Sequence, residues 1–153
     1  MGRSKQHRMT SSRGGPETRL RGSEESMSDE IIDFSNLGIF ESVKKALGIP
    51  KDHTEFDMDI AMHINATFSK LYQMGVGPRN EVFQITGYDE VWDDFATSKD
   101  INMVQSFMYI EVRLMFDPPT ASLLQSLKER QKEYEWRLTV AGTDHDNEEN
   151  PNE

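Results

Sequence analysis

Two side chains that could support metal or acid–base chemistry lie one turn apart on a long predicted helix. Asp59 and His63 are four residues apart, so a helix would place a carboxylate and an imidazole on one face, with Asp57 nearby. Such a pair could begin a divalent-metal site. The sequence places no third or fourth ligand beside it, however, and His7 and His145 fall in polar terminal segments. A solvent-facing Asp–His pair is therefore the better interpretation, and we expect neither a metal nor a cofactor.

The usual sequence signatures of catalysis are also absent. The chain has no cysteine, which removes both a thiol nucleophile and a thiolate metal site. It has no G-x-S-x-G nucleophile elbow, and residues 75–78 have neither the lysine nor the spacing of a phosphate-binding loop. The acidic cluster at 89–94 lacks calcium-loop spacing and is interpreted as a solvated turn with Trp92 and Phe95 directed inward. We expect a protein that is not an enzyme.

Charge is distributed unevenly along the 153 residues, whose net charge is −10. Residues 1–26 hold six basic and three acidic side chains, and residues 142–153 hold five acidic side chains and no Lys or Arg. The middle, 27–141, has nineteen acidic against eleven basic side chains. Because nucleic acid is held by basic patches, a domain this acidic is suited to repel DNA or to imitate it. No run of ~20 apolar residues predicts a membrane-spanning helix.

Both ends of the chain are predicted to be disordered around a helical middle. Residues 1–28 are basic and rich in Ser, Gly and Arg, and residues 142–153 form an acidic tail. Neither segment can bury enough apolar surface to offset its ordering entropy. Residues 29–141 are expected to form the folded domain, and Met27 is a candidate translation start.

The predicted fold class is all-α, a small bundle of about four helices with one long loop. Apolar residues recur every three or four positions over 39–47, 55–74, 100–116 and 121–140. The third of these helices has a wide apolar stripe, which predicts a central position. The second is expected to begin with a capping box of Asp52 and Glu55, or with Thr54 as its cap.

Two irregular segments interrupt these helices. Residues 75–88 contain several glycines and Pro78, which predict a long loop with some extended structure, followed by a short helical turn near 89–95. The sequence Asp117-Pro118-Pro119 must end the third helix, because proline excludes helical geometry in the residue before it.

Arg113 and Trp136 are the two side chains whose positions the pattern leaves open. Arg113 lies in an otherwise apolar stretch, where a charge is paired, faces an interface or sits at a simple surface position. Its candidate partners are Asp117, Glu133 and Glu135. Trp136 lies beside the charged face of the last helix, and tryptophan is enriched in binding hot spots. Core and interface both remain open for Trp136.

Five sequence pieces, in order between residues 39 and 140, resemble phage head–tail connector proteins. The clearest are RLMFDPP at 113–119 and EWRL at 135–138. The other pieces are KALGI at 45–49 followed by FD at 56–57, HIN at 63–65 leading to GVGP at 75–78, and WDDF at 92–95. Each piece alone is weak, whereas five in register are fairly specific.

The resemblance implies a helical subunit that forms a homo-oligomeric ring of about a dozen copies beneath the portal. Such a ring extends the DNA channel, binds the portal protein and a downstream neck or tail completion protein, and lets DNA pass without specific binding. It implies no catalysis, no cofactor and no membrane, with synthesis in the host cytoplasm and a final place in the virion neck. Apolar and Met-rich surface beyond what one core can bury would be the sign of subunit contacts.

Two groups of residues are predicted to make these contacts. The residues expected at a subunit or portal interface are Arg113, Phe116, Asp117, Pro118, Pro119, Trp136 and Arg137. The loop residues expected to reach the channel or a neighbouring subunit are Val76, Arg79, Asn80, Glu81 and Phe83. The alternatives are an acidic DNA mimic that inhibits a nuclease or regulator, which the apolar third helix disfavours, and a metal-dependent enzyme that uses Asp59 and His63.

Overall fold

The computed structural model describes residues 37–95 and 100–149, with side chains described as far as Asp144. These residues form five helices: α1 (Ile39–Ala46), α2 (Asp57–Gln73), α3 (Trp92–Phe95), α4 (Ile101–Phe116) and α5 (Ala121–Glu149). No strand occurs among them, and an isolated antiparallel bridge joins Gly38 to Val91. The predicted all-α bundle of four main helices and one long loop is confirmed. The predicted basic extension, 1–28, lies outside the described residues, and none of the described helices is long and apolar enough to span a bilayer.

Helix α4 is the central helix, because it packs on α2 along one side and on α5 along another. Its buried side chains point in several directions around the helix, as the wide apolar stripe predicts: Val104, Phe107, Met108, Ile110 and Val112. The apolar stripe of α2 supplies the facing layer, with Ile60, Ile64, Phe68 and Leu71 buried. Removing that much apolar surface from water is the main force that holds the three long helices together.

The start of α2 differs from the predicted capping arrangement. Phe56 occupies the N-cap position and makes no side-chain cap hydrogen bond. The Asp57 N–H instead donates to the Thr54 carbonyl oxygen at 3.2 Å, so the turn is closed by backbone. The predicted capping box of Asp52 and Glu55, and the alternative cap Thr54, are therefore wrong. The reason is tertiary: this end of the helix is fixed by a buried lysine from α1, described below.

The segment between α2 and α3 folds back over the core as an irregular loop. Gly75 and Gly77 adopt positive φ angles of 82° and 94°, which other residue types adopt only with strain. The ring of Phe95 lies so close to Gly77 that a Cβ at this position would collide with it. At its far end the loop joins the start of α1, since the Ile39 N–H donates to the Glu90 carbonyl oxygen at 2.9 Å.

Helix α5 runs nine residues beyond its predicted end at Val140, as far as Glu149. Glycine commonly follows the last turn of a helix. In the structure Gly142 is inside the helix and buried, and its Cα region packs on the backbone of Met74 and Gly75 at the end of α2. The glycine is thus a close-packing position and not a terminator.

Candidate interaction surfaces

The connection between α4 and α5 leaves apolar side chains exposed at one end of the bundle. Phe116 is half-buried and packs edge-on against Phe56, with the ring centroids 5.5 Å apart. Phe56 itself is largely exposed, and so are Met115, just before the break, and Leu123, just after it. Of the two prolines, Pro118 is exposed and Pro119 half-buried. The predicted interface residues around the break therefore lie at an accessible, partly apolar end.

Arg113 is paired within its own chain. Its Nη1 lies 3.0 Å from Asp117 Oδ2, one helical turn away, and the arginine side chain is 23% exposed. The other two candidate partners are engaged elsewhere: Glu133 with Arg137 at 2.8 Å, and Glu135 with Lys70 at 3.4 Å. Because Asp117 is the residue at which α4 ends, this pair stabilises the last turn before the prolines.

Trp136 lies on the outer face of α5, with 68% of its surface exposed. The structure thus decides against the core position that the sequence left open. Its neighbour Arg137 is half-exposed and pairs with Glu133 on the same helix. An isolated exposed Leu or Met is ordinary, whereas a tryptophan this exposed leaves most of a large apolar side chain accessible to a partner.

The predicted channel-loop residues divide into anchors and an exposed tip. Val76 and Phe83 are half-buried and pack against the core. The ring of Phe83 contacts those of Phe68, at 4.9 Å, and Phe95, at 5.6 Å. The side chains presented to solvent are those of residues 79–81. The contact role predicted for this loop can therefore rest on Arg79, Asn80 and Glu81, held in place by the two anchors.

Asn65 fastens the same loop to α2, a role that the sequence did not indicate. Its Nδ2 donates to the Ile85 carbonyl oxygen at 3.1 Å, and its Oδ1 accepts from the Ile85 N–H at 2.8 Å. The side-chain amide thereby pairs with the loop backbone as a neighbouring strand would.

Replacing Asn65 by alanine is expected to release this loop while leaving the core folded. Both polar groups of Ile85 would lose their partner, at a cost of about 1–3 kcal/mol to the local stability of the loop. Hydrogen exchange of the Ile85 amide should accelerate, whereas that of Phe107 in α4 should not change. Asn65→Asp keeps the acceptor and loses the donor, so its effect should be intermediate. Unchanged exchange at Ile85 in Asn65→Ala would contradict the clamp.

A buried lysine joins α1, the start of α2 and the end of the loop. Lys44 is 1% exposed, and its Nζ donates to Asp57 Oδ1 at 2.7 Å, the Tyr88 hydroxyl at 3.0 Å and the His53 carbonyl oxygen at 2.6 Å. The Tyr88 hydroxyl in turn donates to Asp57 Oδ2 at 2.8 Å. Each charged group thus has several partners, the condition under which a buried ion pair is tolerated.

The same contacts shift the pKa values of both charged groups. Burial opposes the charged form of Lys44, but the hydrogen bonds that Lys44 donates to Asp57 and Tyr88 outweigh burial and raise the pKa of Lys44. Burial likewise opposes ionisation of Asp57, but hydrogen bonds to Lys44 and Tyr88 lower its pKa. The pair is therefore held in its ionised form, which suits a structural lock and not a proton donor or acceptor.

A second polar network joins the three long helices. Lys70 of α2 lies 3.1 Å from Glu111 of α4 and 3.4 Å from Glu135 of α5. Gln131 of α5 also donates to Glu111. These contacts place residue 70 of α2 beside residue 135 of α5. Farther along both helices, Met74 packs on Gly142. Helices α2 and α5 therefore run in the same direction, with α4 antiparallel to both.

The metal site considered from the sequence, at Asp59 and His63, is not supported by the geometry of the described residues. Among the described residues no group of three or more side chains is placed to hold a metal ion, and this includes the surroundings of Asp59 and His63. In the acidic cluster, Trp92 and Phe95 are buried, as predicted. Glu90 accepts from Thr86 N–H and Oγ1 at 2.7 and 2.6 Å, and burial notwithstanding, these bonds lower its pKa.

The outer face of α2 carries apolar side chains that sequence reasoning did not single out. Met58 is 77% exposed and Met62 65% exposed, and they are one turn apart on the side opposite the core. Exposed methionines suit adaptable protein contacts. A signal was present in the sequence, since 58 and 62 fall outside the apolar stripe of Ile60, Ile64 and Phe68. The most exposed apolar groups thus lie on α2, on α5 and at the α4–α5 connection.

A family model described as phage connector protein matches residues 39–145. These residues include all five described helices up to the last turn of α5. No curated protein and no solved structure matches the chain.

Proposed function

The chain belongs to the phage connector protein family, and from that premise we propose that it is a non-enzymatic subunit of a ring beneath the portal. This ring joins the phage head to the neck and tail and extends the channel through which DNA passes. The family match over residues 39–145 is the observation that carries the proposal. It agrees with the resemblance of the 113–119 and 135–138 segments, which lie inside the matched region.

Two physical features of the chain support assembly into a ring. Exposed apolar groups occur on α2, on α5 and at the α4–α5 connection, and a ring requires two different complementary faces on each subunit. The net charge of −10 suits a channel wall, because like charge keeps passing DNA from binding. Neither feature calls for a cofactor or a catalytic group.

The proposal is tested by measuring the oligomeric state of the purified chain, alone and mixed with the portal protein of its own phage. Native mass spectrometry and electron microscopy should show a ring of about a dozen copies, formed either alone or on the portal. A chain that stays monomeric at high concentration and ignores the portal would overturn the proposal.

Replacing both Pro118 and Pro119 by alanine is expected to reduce ring formation at least roughly ten-fold, because α5 would be misdirected. In the wild-type chain the backbone leaves the helix at Asp117, whose φ is −143° and ψ 74°. Without the prolines, α4 can continue through the connection, and circular dichroism should show a gain in helix content. Thr120→Ala is the matched control, since its carbonyl oxygen, which accepts from Leu124 at 2.8 Å, is retained. Wild-type ring yield in the double variant would contradict this role of the prolines.

A further inference from the structure

Two helix faces of this chain have the composition expected of partners in one contact. On α5, the residues at positions 128, 132, 136 and 140 follow a single i, i+4 ridge: Lys128, Lys132, Trp136 and Val140. On α2, Met58 and Met62 form an i, i+4 pair flanked by Glu55 and Asp59. Each face therefore combines two charges of one sign with two exposed apolar side chains.

We propose that the Lys128–Val140 ridge of α5 packs against the Met58–Met62 face of α2 on the next copy of the chain. This inference rests on the proposed ring, and it names the two faces that meet. The most exposed apolar side chains on these helices are Met58, Trp136 and Met62, at 77%, 68% and 65%. Burial of a tryptophan against methionines is a common core of a binding hot spot.

The charges on the two faces are complementary in sign, with two lysines on α5 and two carboxylates at the start of α2. Among the described residues, Lys128 and Lys132 make no hydrogen bond or ion pair, and the same holds for the carboxylates of Glu55 and Asp59. Other surface charges, such as Arg137 with Glu133, are paired on their own helix. Complementary charge at the edge of an apolar contact selects its partner and fixes its register.

The direction of the helices agrees with a cyclic assembly. With Trp136 opposite Met62, a parallel pairing places Lys128 near Glu55 and Lys132 near Asp59, because the lysines precede Trp136 by eight and four residues and the carboxylates precede Met62 by seven and three. An antiparallel pairing would carry the lysines away from both carboxylates. Helices α2 and α5 run in the same direction within one subunit, as the Lys70–Glu135 contact shows. Rotation about an axis along the helices preserves that direction, so α5 of one copy meets α2 of the next in parallel. A two-fold axis perpendicular to the helices would make them antiparallel.

Cross-linking of introduced thiols tests this contact directly, because the full chain has no cysteine of its own. Chains carrying Met62→Cys are mixed with chains carrying Trp136→Cys and treated with a short thiol–thiol cross-linker. The mixture should give a covalent dimer, and the variant with both changes should give a ladder up to the ring. Gln73→Cys is the matched control, exposed on the same helix but about 16 Å from position 62, and it should not cross-link to position 136.

Charge reversal supplies a second test that does not depend on thiols. Lys128→Glu with Lys132→Glu should weaken self-association, as should Glu55→Lys with Asp59→Lys. All four changes in one chain should restore it, because the charges are again complementary. Trp136→Ala should weaken association roughly thirty-fold.

Failure of this inference and failure of the proposed function give different results. Rings that form while positions 62 and 136 do not cross-link, or while Gln73→Cys cross-links equally well, overturn the inference and leave the ring standing. Rings of normal yield in Trp136→Ala, with loss of portal binding, assign the tryptophan to the portal and overturn the inference as well. A chain that forms no ring, alone or on the portal, overturns the proposed function.

Discussion

Replacing Lys44 by methionine is expected to lower the free energy of unfolding by about 3–5 kcal/mol, the cost of removing one partner from a buried ion pair. Methionine fills most of the space of the lysine stem but donates no hydrogen bond. The Asp57 carboxylate would keep the Tyr88 hydroxyl and lose its cation, and the His53 carbonyl oxygen would lose its 2.6 Å partner. A domain with about 5–15 kcal/mol of total stability would lose a large share of it.

Lys45 provides a matched control on the same helix. It is the next residue, it is exposed, and its side chain makes no hydrogen bond or ion pair among the described residues. Lys45→Met should therefore change the stability by no more than about 0.5 kcal/mol. Urea unfolding followed by circular dichroism measures both variants. Equal effects of the two substitutions would show that the buried network is not what stabilises this end of the bundle.

The pH dependence of this effect follows from the directions of the two pKa shifts. Asp57 has a lowered pKa, so its contribution is complete above the ordinary value of 3.8 and is lost as the pH falls through the folded value. Lys44 has a raised pKa, so its contribution is complete below 10.5 and is lost as the pH rises through the folded value. The difference between wild type and Lys44→Met should be largest between these limits and should shrink at either extreme.

The lysine network could not be predicted from the sequence, although the helices around it could. In the sequence, Lys44 and Lys45 are two adjacent lysines on a short amphipathic helix, and both are typical of a solvated face. What distinguishes them is tertiary: Lys44 meets a hydroxyl from Tyr88 and a carboxylate from Asp57, 44 and 13 residues away. The sequence pattern holds no information on which distant groups will surround a side chain.

The long helices were predictable because apolar periodicity reports directly on burial. Helices α2 and α4 begin and end within one or two residues of the predicted bounds, and the stripe of Ile60, Ile64 and Phe68 is buried. Phe56 falls at the same spacing, four residues before Ile60, but it lies at the N-cap position and is largely exposed. The spacing of apolar residues identifies which face of a helix is buried, but it does not show where along the helix the core ends.

The candidate surfaces were predictable in part, for the same reason. The proline break and Trp136 could both be singled out from the local sequence, and both are accessible in the structure. Whether Trp136 belonged to the core depended on how α5 is rotated against α4, which its mixed sequence does not fix. The exposed pair Met58 and Met62 was overlooked, because methionines next to an apolar stripe resemble its edge.

Replacing Gly142 by valine is expected to have the second-largest effect, a loss of about 1–3 kcal/mol from overpacking at a helix crossing. A Cβ at position 142 would collide with the Met74 carbonyl oxygen and lie close to the Gly75 backbone. Both are backbone groups at the end of α2, so neither can move aside as a flexible side chain can. Valine gains only a few tenths of a kcal/mol over glycine in helix propensity, which does not offset the collision.

Gly87→Ala is the matched control, since nothing lies within 4 Å of a Cβ added there. Its effect on the free energy of unfolding, measured with urea, should be small, within about 0.5 kcal/mol. Equal midpoints for Gly142→Val and wild type would contradict the close crossing.

The same substitution should also affect assembly, because the crossing at Gly142 sets the position of the outer face of α5. Trp136 and Val140 lie within two turns of Gly142, so a helix pushed away from α2 carries both to a new place. If Trp136 and Val140 pack on the next copy, Gly142→Val should lower the yield of rings. The yield is measured without urea, where circular dichroism shows that the variant is still folded. Normal rings from a folded Gly142→Val chain would mean that assembly does not depend on the placement of this helix.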